Sequence, residues 1–181
     1  MVGVLVTLAF SWLYMQWTHE LGHIIAGLAS GATIERVILD PRTFSMTQFR
    51  STPHPLIAAW GGPLLGVIIG AGIPLLLSRV LPGFRFSLRI IAAFVLLANG
   101  LYIGLGAAYP VGDAQSLIMF GSPRWLLAVF GIASMVAARR TLRPVFEKQA
   151  QPEPIKYTAV WFLMSMALAA VGLFLFEMPT T

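Results

Sequence analysis

Val4–Ala29 reads VLVTLAFSWLYMQWTHELGHIIAGLA. Residues 1–18 contain no Asp, Glu, Lys or Arg, and Ile24–Ala32 contain none either. A stretch this long and apolar predicts a membrane-spanning helix, with Gly31 as its stop. Inside it lies His19-Glu20-Leu21-Gly22-His23. On a helix, H-E-x-x-H puts two imidazoles at i and i+4, on one face and one turn apart. That spacing suits two ligands of a tetrahedral zinc, with Glu20 placed to act as base on the water nucleophile. A lone His or Glu on an apolar helix is more often a satisfied buried polar residue. Here, however, two of the chain's three His share one short motif, and ionisable groups in hydrocarbon are costly enough to mark function.

The composition extends the membrane reading to the whole chain. Of 181 residues, 57 % are hydrophobic and 10 % charged, and the mean hydropathy is +0.81. Soluble domains carry about a quarter charged residues. The net charge of +5 is no nucleic-acid signature, because the basic residues fall in short loops where they set topology. With no cysteine, neither disulfides nor thiolate ligands are available, so a zinc site must use His and carboxylate. No cleavable signal peptide is expected, since a basic leading segment is lacking.

After the first span, Thr33–Leu39 is rich in β-formers, Asp40-Pro41-Arg42 is turn-like and Thr43–Phe49 alternates, which predicts a β-hairpin. Ser51–Ser78 holds a second span without a charge, containing Gly61-Gly62-Pro63-Leu64-Leu65-Gly66. Small residues there allow close helix approach in lipid. A third span covers Ile90–Gly106 and breaks at Gly104, Gly106 and Pro110. Ala114–Pro123 and Trp125–Ala138 read as one crossing kinked near Pro123, Arg139–Lys156 as an extramembrane linker, and Tyr157–Phe176 as a final span. The expected fold is an all-α polytopic membrane protein of about five transmembrane helices, with a small β-hairpin after the first.

Two His do not complete a catalytic zinc site, which takes three protein ligands plus water. Of seven carboxylates, Asp113 alone sits among apolar residues where a helix restarts after a Gly/Pro break, and it is the favoured third ligand. It could also serve as an N-cap, and the two roles are compatible. His54, between Pro53 and Pro55 at a span boundary, is the competing ligand.

With these residues in hand, the chain resembles the site-2 protease family of intramembrane zinc metalloproteases. His19-Glu20-Leu21-Gly22-His23 comes first, then Gly62-Pro63-Leu64, which looks like the family's Gly-Pro motif. Tyr109-Pro110-Val111-Gly112-Asp113 stands where the family has its Pro-containing Leu-Asp-Gly segment. The hairpin resembles the family's membrane-associated β element. The likeness covers about residues 5–138. Gly112 replaces the family's usual Leu, Ala114 its Gly, and Gly66 stands where many members have Asn. The family's Asn before the metal Asp has no counterpart, Asn99 lying too far upstream.

The chain is thus expected to divide into a metalloprotease-like core over 1–138, which the resemblance implies, a linker over 139–156 and a C-terminal transmembrane helix over 157–181. It implies a zinc-dependent intramembrane endopeptidase, with Zn2+ on His19, His23 and Asp113 and Glu20 as base. The substrate would be a membrane protein or transmembrane peptide in the lipid bilayer of a prokaryotic cell membrane. A non-proteolytic zinc-binding scaffold or sequestering protein is the alternative. A small metal transporter is a third reading, disfavoured because the other spans lack further His or carboxylate. Orientation is contested. Loops 30–54 and 109–112 with the C-terminus carry three Lys/Arg, and the opposite side carries eight, which puts the N-terminus in the cytoplasm. The resemblance implies the reverse.

Overall fold

A computed structural model of the chain describes residues 2–147 and 155–177. The chain order is α1 (Val2–Ala29), β1 (Thr33–Ile38), β2 (Met46–Ser51), α2 (Pro55–Val80), a short 3-10 turn, α3 (Arg85–Gly106), α4 (Gly112–Met119), α5 (Arg124–Phe146) and α6 (Ile155–Glu177). Three helical stretches are long and apolar enough to cross a membrane: Pro55–Val80, Pro82–Gly106 and Arg124–Phe146. Large apolar side chains such as Ile68, Leu76, Val129, Ile132 and Leu163 point outward, a surface suited to lipid rather than water.

The helix ends follow from local chemistry. α1 stops where Gly31 takes φ +84, with Ala32 N–H donating to Gly27 O at 2.9 Å and Gly31 N–H to Leu28 O at 3.1 Å. This paired bonding satisfies the last carbonyls around a left-handed residue. The same device closes α4. Gly121 has φ +99, and Ser122 N–H donates to Leu117 O at 2.8 Å. The expected single crossing kinked near Pro123 is therefore a short helix, a turn, and then a separate long helix that begins after Pro123. α5 continues through Phe146 into the segment expected as a linker. Arg139, Arg140 and Arg143 lie in the last turns of α5, where long basic side chains can extend past a helix end. Residues 148–154 and 178–181 lie outside the described residues.

The helices meet at small residues, which let their backbones approach closely. α1 and α2 pack antiparallel. A Cβ on Gly22 would strike Gly61 O, one on Gly61 would lie 2.5 Å from Ala26 Cβ, and one on Gly66 would lie 2.9 Å from His19 Cα. α3 and α5 meet antiparallel at Gly104 and Gly131. Arg124 Nη1 donates to Ala107 O at 2.7 Å at one end of this pair, and Arg89 Nη1 to Thr141 O at 3.3 Å at the other. α3 runs alongside α1, with Thr7 Oγ1 3.2 Å from Ser87 Oγ. α6 also follows α1, with the Trp161 and Phe10 rings tilted against each other at 5.0 Å between centroids.

The hairpin is antiparallel, with Val37 opposite Thr47 and Ile38 opposite Met46, and with irregular register around Glu35. Its turn is fastened by Arg42, whose Nε and Nη2 donate to Asp40 at 2.8 and 2.7 Å. The same guanidinium pulls the Asp40 carboxyl down to about 2. The hairpin lies against α1. Gln16 Nε2 donates to Thr43 O at 3.0 Å, Trp12 meets Phe44 edge-on, and the Phe49 ring lies over Gly27.

Candidate metal centre

His19 and His23 are buried, at 7 and 6 % exposure, on the face of α1 turned toward α2 and α3. Their Nε2 atoms are 3.2 Å apart. Asp113, in the first turn of α4, brings Oδ2 to 2.7 Å from His19 Nε2 and 3.5 Å from His23 Nε2. Three ligands about 2.0–2.2 Å from a tetrahedral ion stand roughly 3.3 Å from one another. The three atoms are thus close to metal-binding separation. The chain folds residue 113 back onto residues 19 and 23, as the sequence predicted, and these three form the one group of potential metal donors among the described residues.

The partners of the imidazoles decide the chemistry of the cluster. His19 Nδ1 lies 2.7 Å from Asn99 Oδ1. The Asn99 amide is oriented by its own Nδ2, which donates to Val95 O at 3.0 Å, so the oxygen faces His19. His23 Nδ1 lies 2.8 Å from Ala58 O and, farther off, 3.3 Å from the Gly62 backbone N–H. The Asn99 oxygen requires Nδ1–H on His19, and the nearer Ala58 carbonyl favours the same tautomer on His23, which turns both Nε2 lone pairs toward a carboxylate. Three acceptors at this separation repel one another unless a cation or a proton sits among them. The donor set fits a divalent metal, and nitrogen with oxygen ligands suits zinc.

α2 makes room for the cluster. A Cβ on Gly62 would overlap His23 Nε2 and lie 2.7 Å from His19 Nε2. Gly62-Pro63 therefore keeps the helix backbone against the imidazoles without a side chain intruding.

Glu20 is 3 % exposed and lies outside the convergent donors. Its Oε2 accepts a hydrogen bond from Thr47 Oγ1 of β2 at 2.6 Å. A cavity of about 1050 Å³ is lined by His19, Glu20, His23, Asn99, Tyr102 and Asp113, with β2 along one side. β2 pairs with β1 on one edge only, and no further strand covers its other edge among the described residues.

His54 is exposed at the start of α2 and belongs to no donor cluster. Asp40 is occupied by Arg42, and Glu147 is exposed with Arg143 Nε at 2.7 Å. In sequence, Asn99 lies too far from Asp113 to stand out as its partner. The fold instead places Asn99 behind His19, 80 positions away. Its signal was a single amide in the otherwise apolar third span, with Tyr102 three residues on and hence on the same helix face.

No protein-family model matches the chain, and neither does any curated protein or solved structure searched.

Proposed function

We propose that the chain is a zinc-dependent intramembrane endopeptidase of the site-2 protease type. The observation that carries this reading is the convergence of His19, His23 and Asp113 within hydrogen-bonding distance of one another, on a cavity that Glu20 also lines. His19, His23 and Asp113 would hold the ion. When bound, zinc would polarise the scissile carbonyl and acidify the attacking water. Asn99 and Ala58 O hold the imidazoles with Nε2 forward. Glu20 takes a proton from the water and returns it to the leaving amine. The open edge of β2 would hold an unwound substrate segment by strand addition, beside the base.

Five long helices, α1, α2, α3, α5 and α6, would cross the bilayer, with α4 on the side of the hairpin. Arg124 joins Arg36, Arg42 and Arg50 at that end, while Arg79, Arg85, Arg89, Arg139, Arg140 and Arg143 lie toward the other. The positive-inside rule would then put the hairpin end outside the cytoplasm.

One observation favours a non-hydrolytic zinc-holding protein instead: the Thr47 hydroxyl already engages Glu20. A Glu20→Gln variant separates the two. Purified wild type should hold about one zinc per chain and cleave an apolar transmembrane peptide. The variant should keep the zinc and lose cleavage, because Gln is nearly isosteric but no base. Cleavage persisting near the wild-type rate in Glu20→Gln would refute the proposed mechanism.

A further inference from the structure

Attack on a peptide carbonyl puts negative charge on its oxygen, and a hydrolase of this kind needs a donor aimed at that charge. Of the polar side chains that line the cavity, Gln16 Nε2 donates to Thr43 O, Asn99 Nδ2 to Val95 O and Thr47 Oγ1 to Glu20, while Ser45 and Thr52 make no side-chain bond among the described residues that would hold them in place. Tyr102 combines an unengaged O–H with an anchor on a residue of the donor cluster. Its hydroxyl oxygen accepts the Asp113 backbone N–H at 2.9 Å, and its own O–H donates to no protein atom among the described residues. The ring stands 6.4 Å, centroid to centroid, from that of His19. A phenol keeps its proton at neutral pH, so one donor is anchored beside the metal-binding cluster with nothing to bind.

The backbone is shaped around this hydroxyl. Gly112 has φ +53, and a Cβ there would overlap the Tyr102 oxygen. Leu, the usual residue of the resembled family at this point, would expel the hydroxyl. Glycine at 112 and tyrosine at 102 thus form one arrangement, which places the O–H against the residue that carries the carboxylate ligand.

We propose that Tyr102 donates the hydrogen bond that stabilises the tetrahedral oxyanion during peptide hydrolysis, a role that rests on the hydrolytic reading above. The water oxygen bonds to the carbonyl carbon while Glu20 takes the water proton, and the carbonyl π electrons move onto oxygen. Tyr102 donates to that oxygen without giving up its proton. On collapse the electrons return, the C–N bond breaks, and the nitrogen leaves with the proton from Glu20.

The test compares wild type, Tyr102→Phe and Glu20→Gln for zinc affinity, for cleavage, and for binding of a phosphinic pseudopeptide with leucine side chains, whose tetrahedral phosphorus mimics the oxyanion. Tyr102→Phe should hold one zinc with a Kd within about threefold of wild type, since three ligands remain. It should bind the phosphinate roughly 10- to 100-fold more weakly, and kcat should fall roughly 10²–10³-fold, the range for one lost oxyanion donor, with KM nearly unchanged. Equal phosphinate affinity in a wild type and variant that both hold zinc overturns the inference alone. Zinc and phosphinate affinities falling together, or zinc lost outright, make Tyr102 a support for Asp113 and also overturn it. A wild type that holds zinc and cleaves nothing, or a Glu20→Gln variant that still cleaves, overturns the hydrolytic reading beneath it.

Discussion

Replacing Asn99 with Leu tests whether the residue behind an imidazole controls the metal in front of it. Asn99 is 1 % exposed and spans two bonds, accepting from His19 Nδ1 at 2.7 Å and donating to Val95 O at 3.0 Å. Leucine has nearly the same shape, so the gap between α1 and α3 stays filled. The Val95 carbonyl loses only a side-chain partner, since it remains in the helix. The buried His19 Nδ1–H, by contrast, loses its acceptor, which costs about 1–3 kcal/mol. His19 can escape by moving its proton to Nε2, but that removes a metal ligand. Either way the penalty falls on the metal-bound state, and at 1.4 kcal/mol per decade it weakens zinc about 5- to 150-fold. Loss of a partner behind a ligating histidine weakens metal sites about 10- to 100-fold, which agrees. The assay is competition with a chromophoric chelator at pH 7.5 in detergent, with helical content as the folding control. Asn99→Asp should do the opposite, holding zinc at least as tightly, because a carboxylate is a stronger acceptor for Nδ1–H. A Leu variant within threefold of wild type would show that His19 needs no orienting partner, and the tautomer argument for the cluster would fall.

Three further outcomes are expected. Gly22→Ala pushes a methyl into Gly61 O and should lower the melting temperature by an amount matching about 1–3 kcal/mol and weaken zinc with it, whereas Gly72→Ala, which meets nothing within 4 Å, should do neither; equal thermal scans for the two would refute the glycine seam. Thr47→Val should slow cleavage about tenfold with zinc unchanged, and Thr47→Ser should restore the rate, since a bond to a charged group is worth about 1.5–3 kcal/mol; faster cleavage in Thr47→Val would identify the contact as a latch on Glu20. The Asp40 carboxyl is held at about 2 by Arg42, below its ordinary value near 4, so its contribution to the hairpin turn is complete above about pH 4 and is lost as pH falls toward 2. Pepsin cleavage beside the exposed Phe44, run between pH 4 and pH 2, should rise over that window in wild type relative to the Asp40→Asn variant. Asp40→Asn should be cleaved readily across the window, and a wild-type rate in constant ratio to that of the variant would exclude the pair.

What the sequence disclosed was whatever local spacing encodes. The His pair, Glu20 and the Gly31 stop follow from a single helix. The hairpin follows from β-formers flanking Asp40-Pro41-Arg42. Asp113 stood out as a carboxylate in an apolar, helix-breaking setting, and the fold carries it to the two imidazoles. The partners of these groups were hidden because they depend on how separate elements meet. Thr47 reaches Glu20 only through the docking of β2 on α1, and Ala58 contributes a backbone carbonyl that no residue type announces. The expected kink near Pro123 gives way to two helices for a local reason: Gly121 in a left-handed conformation followed by an extended Pro123 ends one helix and starts another.

The cluster also has an order in time. His19 and His23 leave the ribosome early, yet the carboxylate that completes their set lies 94 positions beyond His19. Until then the two imidazoles stand without their carboxylate, a set that would hold a divalent ion weakly. Asn99, which locks the tautomer of His19, emerges only 14 residues before Asp113. Tight loading of a metal would therefore follow the packing of α2 and α3 and the return of α4. A metal ion retained through stringent chelation would accordingly mark chains whose first four helices have all found their places, making loading a checkpoint on assembly as well as on chemistry.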